Sequence, residues 1–175
     1  MGFLQPTNGL LEIDRRPITS ANHRAWQSHV AHVPQAIFLA NSTIEENIAF
    51  GIPRDQNYDS RVKRAAQQAQ ISEGIESWPK QYHTFVGECG IRLSGGQQHR
   101  IGIAHALYKQ ADAIIFDEAT SALDSETEQA IASLSKELTL LMIAHQLITL
   151  KSYTRIVEQS DGNIKRAGRY QEIVN

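Results

Sequence analysis

One stretch decides the fold class of this 175-residue chain: Ala113-Ile114-Ile115-Phe116-Asp117-Glu118. An apolar run of this length is typical of a buried strand in a parallel sheet. It ends abruptly in two adjacent carboxylates, which side-chain packing does not easily explain. In open α/β sheets, ligands bind outside the carboxyl ends of the strands. Asp117 and Glu118 therefore mark a candidate ligand site at the end of a predicted strand.

The two carboxylates can take different roles, because adjacent residues on an extended chain face different ways. One can hold Mg²⁺ directly or through water, and the other can orient and deprotonate an attacking water. An acidic cap on the following helix is the structural alternative, since Thr120 and Ser121 come next.

Apolar strands and helices alternate on both sides of this stretch. Further strands are predicted at residues 10–14, 30–34 and 138–144, and in a hairpin of residues 155–159 and 163–167 around Asp161-Gly162. Helices are predicted at residues 41–50, 59–70, 96–108 and 125–137. This alternation predicts an α/β domain with a buried parallel sheet.

The composition excludes several classes of protein. A hydrophobic content of 41% argues against disorder, and a net charge of −2 offers no basic field for nucleic acid or an anionic membrane. No apolar run approaches the roughly 20 residues of a membrane helix, and no signal peptide begins the chain. Cys89 is the only cysteine, so neither an internal disulfide nor a CxxC metal site forms. We expect a cytosolic domain that reaches a membrane only through a partner.

A second stretch, Leu93-Ser94-Gly95-Gly96-Gln97, opens a predicted helix. Its glycines permit close backbone approach, and their N–H groups lie at the positive end of the helix dipole. The serine hydroxyl adds a donor, so the stretch suits a terminal phosphate. An ordinary Ser-Gly helix start is the alternative, but the full pentapeptide is much rarer.

Two single residues give weaker signals. His145 follows the predicted strand at residues 138–144, where an imidazole can reach a phosphate and its attacking water. Gln35 follows the strand at residues 30–34, and its amide could bridge a water, a metal and a neighbouring subunit.

Together these features resemble the ATPase domains of ATP-binding-cassette (ABC) transporters. Residues 93–97 resemble the signature motif, 114–118 the Walker B strand with its catalytic glutamate, and 121–124 the D-loop. His145 resembles the switch histidine and Gln35 the Q-loop glutamine. The resemblance implies ATP and Mg²⁺ as cofactors. It implies catalytic roles for Glu118, His145 and Gln35, nucleotide contacts from Ser94, Gly95, Gly96, Gln97 and Asp124, and metal binding by Asp117 and Gln35.

Two segments resemble the exporter branch of this family, namely residues 43–48 and 86–90. Within the second, Cys89 stands where such proteins often carry a basic residue. The resemblance implies a P-loop NTPase-like, mainly parallel sheet with a helical signature subdomain at roughly residues 41–110, inside a partial domain that covers residues 1–175. It also implies a head-to-tail second ATPase domain, the coupling helices of a transmembrane domain, and a place at the cytoplasmic face of a membrane.

The P-loop motif Gly-x-x-x-x-Gly-Lys-Ser/Thr is absent from the sequence, because none of the six lysines follows a glycine. By resemblance, the chain begins just after the P-loop helix. We therefore expect that the N-terminal strands and P-loop are missing, that apolar sheet surface is exposed, and that the isolated chain is inactive.

Smaller departures from the family pattern are His105 and Gln146, where arginine is common, and a helix at residues 125–137 that is about one turn short. Two alternatives to an exporter motor domain remain open. One is a non-catalytic module that completes the ATP site of an intact partner. The other is a soluble ATPase acting on DNA or ribosomes, which the absence of a heptad run and the two exporter-like segments disfavour.

Overall fold

The computed structural model describes residues 6–55, 58–90, 92–117, 125–134, 138–144, 150–151 and 153–174. The strands are β1 (Glu12–Ile13), β2 (Arg16–Pro17), β3 (Val30–Val33), β4 (Ala113–Asp117), β5 (Thr139–Ile143), β6 (Ile156–Ser160) and β7 (Asn163–Gly168). The helices are α1 (His23–Ser28), α2 (Ile44–Ile48), α3 (Tyr58–Gln68), α4 (Ser72–Glu76), α5 (Gly95–Tyr108), α6 (Ser125–Leu134) and α7 (Tyr170–Val174), with 3-10 turns at Gln81–His83 and Glu88–Gly90.

A parallel sheet with the order β3-β4-β5 forms the centre of the fold. In its register Val33 lies opposite Phe116, and Asp117 lies opposite Ile143. The sheet and its flanking helices confirm the predicted α/β class with a P-loop NTPase-like arrangement. The carboxyl ends of β3 and β4 meet at one edge, which places Asp117 at the same edge as the loop that follows Val33.

The two faces of this sheet differ in burial. Val33 and Phe116 are 0% and 1% exposed on the face that packs against the helices. On the other face Leu141 and Ile143 are 56% and 47% exposed. The prediction that residues 138–144 form a buried strand is therefore wrong for half of β5. Among the described strands, β5 pairs only with β4.

An open groove with a volume of about 950 Å³ lies along the exposed sheet face. Its apolar lining comes from the hairpin β1–β2, helix α1 and the sheet, and includes Ile13, Ile18, Trp26, Ile115 and Leu141. Apolar sheet surface is thus accessible there, as expected from the sequence.

Helices α2, α3 and α5 pack together over the buried sheet face. Their core side chains include Ile44, Ile48, Val62, Ile101 and Ile103, each 2% exposed or less. These helices confirm the predictions for residues 41–50, 59–70 and 96–108, although α2 keeps only five residues. The division at residues 41–110 into a separate helical subdomain stays a prediction.

Downstream, the predicted hairpin is confirmed as the antiparallel pair β6–β7, with a register shift at Glu158 and Gln159. Helix α6 follows the predicted start at Ser125 and is described as far as Leu134. The short helices α1, α4 and α7 had no counterpart in the sequence predictions, because six residues or fewer give little periodic signal.

Candidate functional site

Residues 94–97, hereafter the signature turn, form the start of α5. Ser94 has an extended backbone, and its hydroxyl accepts a hydrogen bond from the N–H of Gln97 at 3.3 Å. In return, the N–H of Ser94 donates to Oε1 of Gln97 at 2.9 Å. This reciprocal capping box fixes the turn before any ligand arrives.

The signature turn is open to a ligand. Ser94 and Gly95 are exposed, and a Cβ placed on Gly95 or Gly96 would meet no atom within 4 Å. The first turn of α5 contains no acidic residue. The first N–H groups of a helix have no partner within the helix and carry partial positive charge. The N–H groups of Gly95 and Gly96 therefore fit a phosphate oxygen.

A second set of predicted site residues lies at the carboxyl edge of the sheet. Asp117 ends β4, its side chain is 46% exposed, and its Oδ2 lies 3.9 Å from Nε2 of His32. Gln35 is exposed two residues after β3, and the pairing of Val33 with Phe116 places it at the same edge. The other predicted residues of this region, Glu118, Asp124 and His145, lie outside the described residues.

The carboxylate of Asp117 fits a role in holding Mg²⁺, because it is accessible at a strand end. Within the described ranges, no group of three or more His, Cys, Asp and Glu side chains forms a metal cage. A single accessible carboxylate suits a magnesium ion, which usually keeps several waters and binds to one or two carboxylates together with substrate phosphates.

Sequence reasoning missed His99, which connects the two sets. Its Nδ1 lies 3.0 Å from the carbonyl oxygen of Gly95, and its Nε2 lies 3.0 Å from that of Gln35. The contact with Gly95 could have been suspected from the spacing of four residues on a helix. The contact with Gln35 spans 64 residues and has no local signal.

The two exporter-like segments lie side by side. The N–H of Val86 donates to the carbonyl of Ser42, and the N–H of Ile44 donates to that of Thr84, both at 3.0 Å. Thr43 forms a bridge with Phe85, which is 44% exposed. Phe38, in the loop between Gln35 and α2, is 84% exposed. Exposed aromatic side chains such as these are candidates for a contact surface.

One carboxylate in this helical region is enclosed. The side chain of Glu45 is 12% exposed and pairs with Arg54 at 2.7 Å and with His83 at 3.3 Å. Beyond it, burial lowers the pKa of His105, whose Nδ1 lies 3.1 Å from the carbonyl oxygen of Ile48. These contacts fix α2 and α5 to their neighbours.

Comparisons with known proteins agree with this arrangement. The profile of the ABC transporter family matches residues 1–121. The solved structure of a bacterial Atm1-family ABC exporter with ATP bound superimposes with a TM-score of 0.89 at 36% identity, over 99% of this chain and 31% of that one. An α/β nucleotide-binding fold and an open signature turn define the class of protein.

The chain belongs to the ABC transporter family and corresponds to part of the nucleotide-binding domain of an exporter. It is 42% identical to the ATP-dependent lipid A-core flippase of Saccharophagus degradans, over 99% of this chain and 30% of the flippase. It is 41% identical to ATP-binding cassette sub-family B member 6 of Mesocricetus auratus, over 99% of this chain and 21% of that protein. The chain thus spans about a third or less of these relatives.

Family membership implies nucleotide binding, typically with Mg²⁺. None of the helices that the structure describes has the length and apolar character required to span a bilayer.

Proposed function

We propose that this chain supplies the signature side of an ATP site whose phosphates are held mainly by a second ATPase domain. The observation that carries the proposal is the signature turn, which is preorganised, exposed and free of acidic side chains. ATP binding and hydrolysis at the shared site would drive export by a membrane domain.

In this site the N–H groups of Gly95 and Gly96 donate to oxygens of the terminal phosphate. The hydroxyl of Ser94 already accepts from Gln97, so its own proton remains available as a further donor. Donors that are fixed before the reaction stabilise developing phosphate charge without reorganisation. Gln97 holds the turn, and Asp124 would border the nucleotide from the D-loop.

The sheet edge supports a second, hydrolytic role at a nucleotide site of this chain's own. Asp117 would hold Mg²⁺, with the amide of Gln35 as a further oxygen ligand. Glu118 would orient and deprotonate the attacking water, and His145 would contact the terminal phosphate. A magnesium ion held there would neutralise part of the phosphate charge.

The aromatic surface at Phe38 and Phe85 supports a contact with coupling helices of a transmembrane domain. Phe38 lies in the loop after Gln35, and Phe85 lies at the junction of the exporter-like segments. Movement of this loop would transmit the state of the ATP site to the membrane domain. Such a contact would require the chain to lie at the cytoplasmic face of a membrane.

A mixing experiment tests the proposal. The 175-residue chain is combined with an intact homologous ATPase domain that carries its own P-loop, and ATP-dependent association and ATPase rate are measured. We expect both to rise above the values of the homologue alone, whereas the chain alone turns over negligibly. Gly95→Asp should remove the effect, because a carboxylate in the signature turn repels phosphate.

Gly74→Asp is the matched control, since Gly74 is a helical glycine with equally open surroundings in α4. No stimulation by the wild-type chain, or equal stimulation by both glycine variants, would contradict the proposal. Strong turnover by the chain alone that Glu118→Gln abolishes would contradict the assignment to a partner's site.

A further inference from the structure

His99 lies one helical turn after the signature turn, and its ring touches two parts of the candidate site. Nδ1 faces the carbonyl of Gly95 and Nε2 faces the carbonyl of Gln35, each at 3.0 Å. The first carbonyl belongs to the phosphate-binding turn of α5. The second belongs to the loop that leaves β3 for Phe38. One side chain therefore spans the distance between the two sets of site residues.

The chemistry of the two contacts defines what the side chain must do. A carbonyl oxygen only accepts hydrogen bonds, so each contact needs a proton on the ring nitrogen that faces it. A neutral imidazole with the proton on Nε2 donates to Gln35, and a protonated ring donates to both carbonyls. An apolar side chain of similar size would fill the space and make neither bond.

We propose that His99 is a positioning residue that couples the signature turn to the Gln35 loop. The inference rests on the proposed function, and it goes further by linking the turn that completes a partner's ATP site to the loop that carries this chain's own metal-orienting amide. Occupancy of the signature turn thereby restrains Gln35, and through it the loop with the exposed Phe38.

The position of Gly102 supports a close fit between α5 and this loop. A Cβ on Gly102 would come within 2.6 Å of Cδ1 of Ile37, two residues after Gln35. The loop thus packs directly on the helix one turn beyond His99. The histidine supplies the polar attachment and the glycine permits the close approach.

The first test concerns the tether in the 175-residue chain itself. Backbone ¹⁵N relaxation is measured at residues 35–38 in the wild type, His99→Leu and His99→Gln. We expect the leucine variant to lower the order parameters of Gln35 and Ala36 toward the flexible range, below about 0.6. The glutamine variant, whose amide N–H can still donate, should restore them. His105→Gln is the matched control on the same helix, because His105 contacts Ile48 instead.

The second test concerns coupling in the mixture with an intact homologous ATPase domain and ATP. We expect His99→Leu to lower kcat about fivefold, the effect of losing one hydrogen bond of ordinary strength, with KM for ATP little changed. KM for ATP should stay nearly unchanged because the partner's own residues bind most of the nucleotide. His99→Gln should recover most of kcat.

The outcomes separate the two proposals. If the wild-type chain gives no stimulation, the proposed function fails, and the relaxation data still decide whether His99 tethers the loop. Unchanged order parameters in His99→Leu would overturn the tether. Failure of glutamine to restore either order or kcat would show that imidazole shape matters rather than hydrogen-bond donation, and would overturn the assigned role.

Discussion

Helices α2 and α5 begin with the same pair of hydrogen bonds and differ in charge. In α2, Thr43 accepts from the N–H of Glu46 at 3.3 Å, and its own N–H donates back to the Glu46 carboxylate at 3.0 Å. In α5, Ser94 and Gln97 repeat this arrangement at 3.3 and 2.9 Å. The side chain that completes the capping box is a carboxylate in α2 (Glu46) and a neutral amide in α5 (Gln97).

This difference decides which helix start can receive an anion. Two acids, Glu45 and Glu46, occupy the first turn of α2, and the backbone bond from Thr43 lowers the pKa of Glu46. That carboxylate already uses the positive end of the helix. The first turn of α5 carries no acid. A capping box alone therefore makes a stable helix start, and only the neutral, uncovered one leaves its positive end open to the proposed phosphate.

The largest effect is expected where α2 is anchored to the core. Asn47 is 5% exposed, accepts from the N–H of Ala40 at 2.7 Å and donates to its carbonyl at 3.1 Å. Asn47→Ala should lower the free energy of unfolding by about 2–4 kcal/mol, because buried main-chain groups lose their partners. Urea denaturation measures this loss. The control Asn163→Ala removes an exposed hairpin side chain and should cost under about 1 kcal/mol.

A single isosteric change tests the role of charge in the comparison. Gln97→Glu keeps the capping box and gives α5 the carboxylate that α2 has. ATP-dependent association with an intact homologous domain should weaken at least about tenfold, since the new charge repels phosphate. The helix itself should become more stable, by about 0.3–1 kcal/mol.

The reverse change, Glu46→Gln, serves as the control. It should lower stability slightly and leave association unchanged, because α2 binds no anion. Wild-type affinity in the Gln97→Glu variant would show that the open positive end of α5 is not the phosphate site.

Removing both caps separates stability from binding. Ser94→Ala and Thr43→Ala should each lower the free energy of unfolding by about 1 kcal/mol, the usual value of an N-cap. Thermal or urea unfolding checks both. Only Ser94→Ala should also weaken ATP-dependent association, because only its hydroxyl faces the open turn. An equal loss of association in the two variants would mean that helix stability, rather than phosphate contact, controls binding.

The smallest expected effect is a pH dependence of the free energy of unfolding, caused by His105 at the far end of α5. Burial lowers the pKa of His105 from its ordinary value of about 6.5. The folded state therefore favours the neutral ring, and this contribution to stability is present above pH 6.5 or so and is lost as the pH falls below it. Unfolding free energies measured between pH 7.5 and 5.5 should fall less steeply in His105→Gln. Identical slopes would contradict a buried neutral ring.

Local features of the fold were predictable from the sequence. The helix start at Ser94, the strand that ends at Asp117 and the hairpin at Asp161-Gly162 were all predicted, and the structure confirms them. Each depends on residues within a few positions of one another, where turn chemistry and periodicity act directly. The ordered motifs also identified the family before any fold was known.

Exposure of β5 was not predictable in the same way. A run of apolar residues indicates a strand that could be buried on both faces, but burial depends on what covers each face. Leu140 faces the core, whereas Leu141 is 56% exposed, although the two residues are chemically identical. Sequence reasoning had no information on this distinction, because the covering element is not local to the strand.

The sequence by itself determined the strand that ends at Asp117, the longer helices, which helix start lacks acidic residues and which family the chain resembles, because these properties depend on neighbouring residues. Tertiary structure alone decided which sheet face is open, how the exporter-like segments meet at Thr43 and Phe85, and that His99 contacts Gln35. Those contacts join residues far apart in the chain, and they form only when close packing of α5 against the sheet and the Gln35 loop brings them within bonding distance.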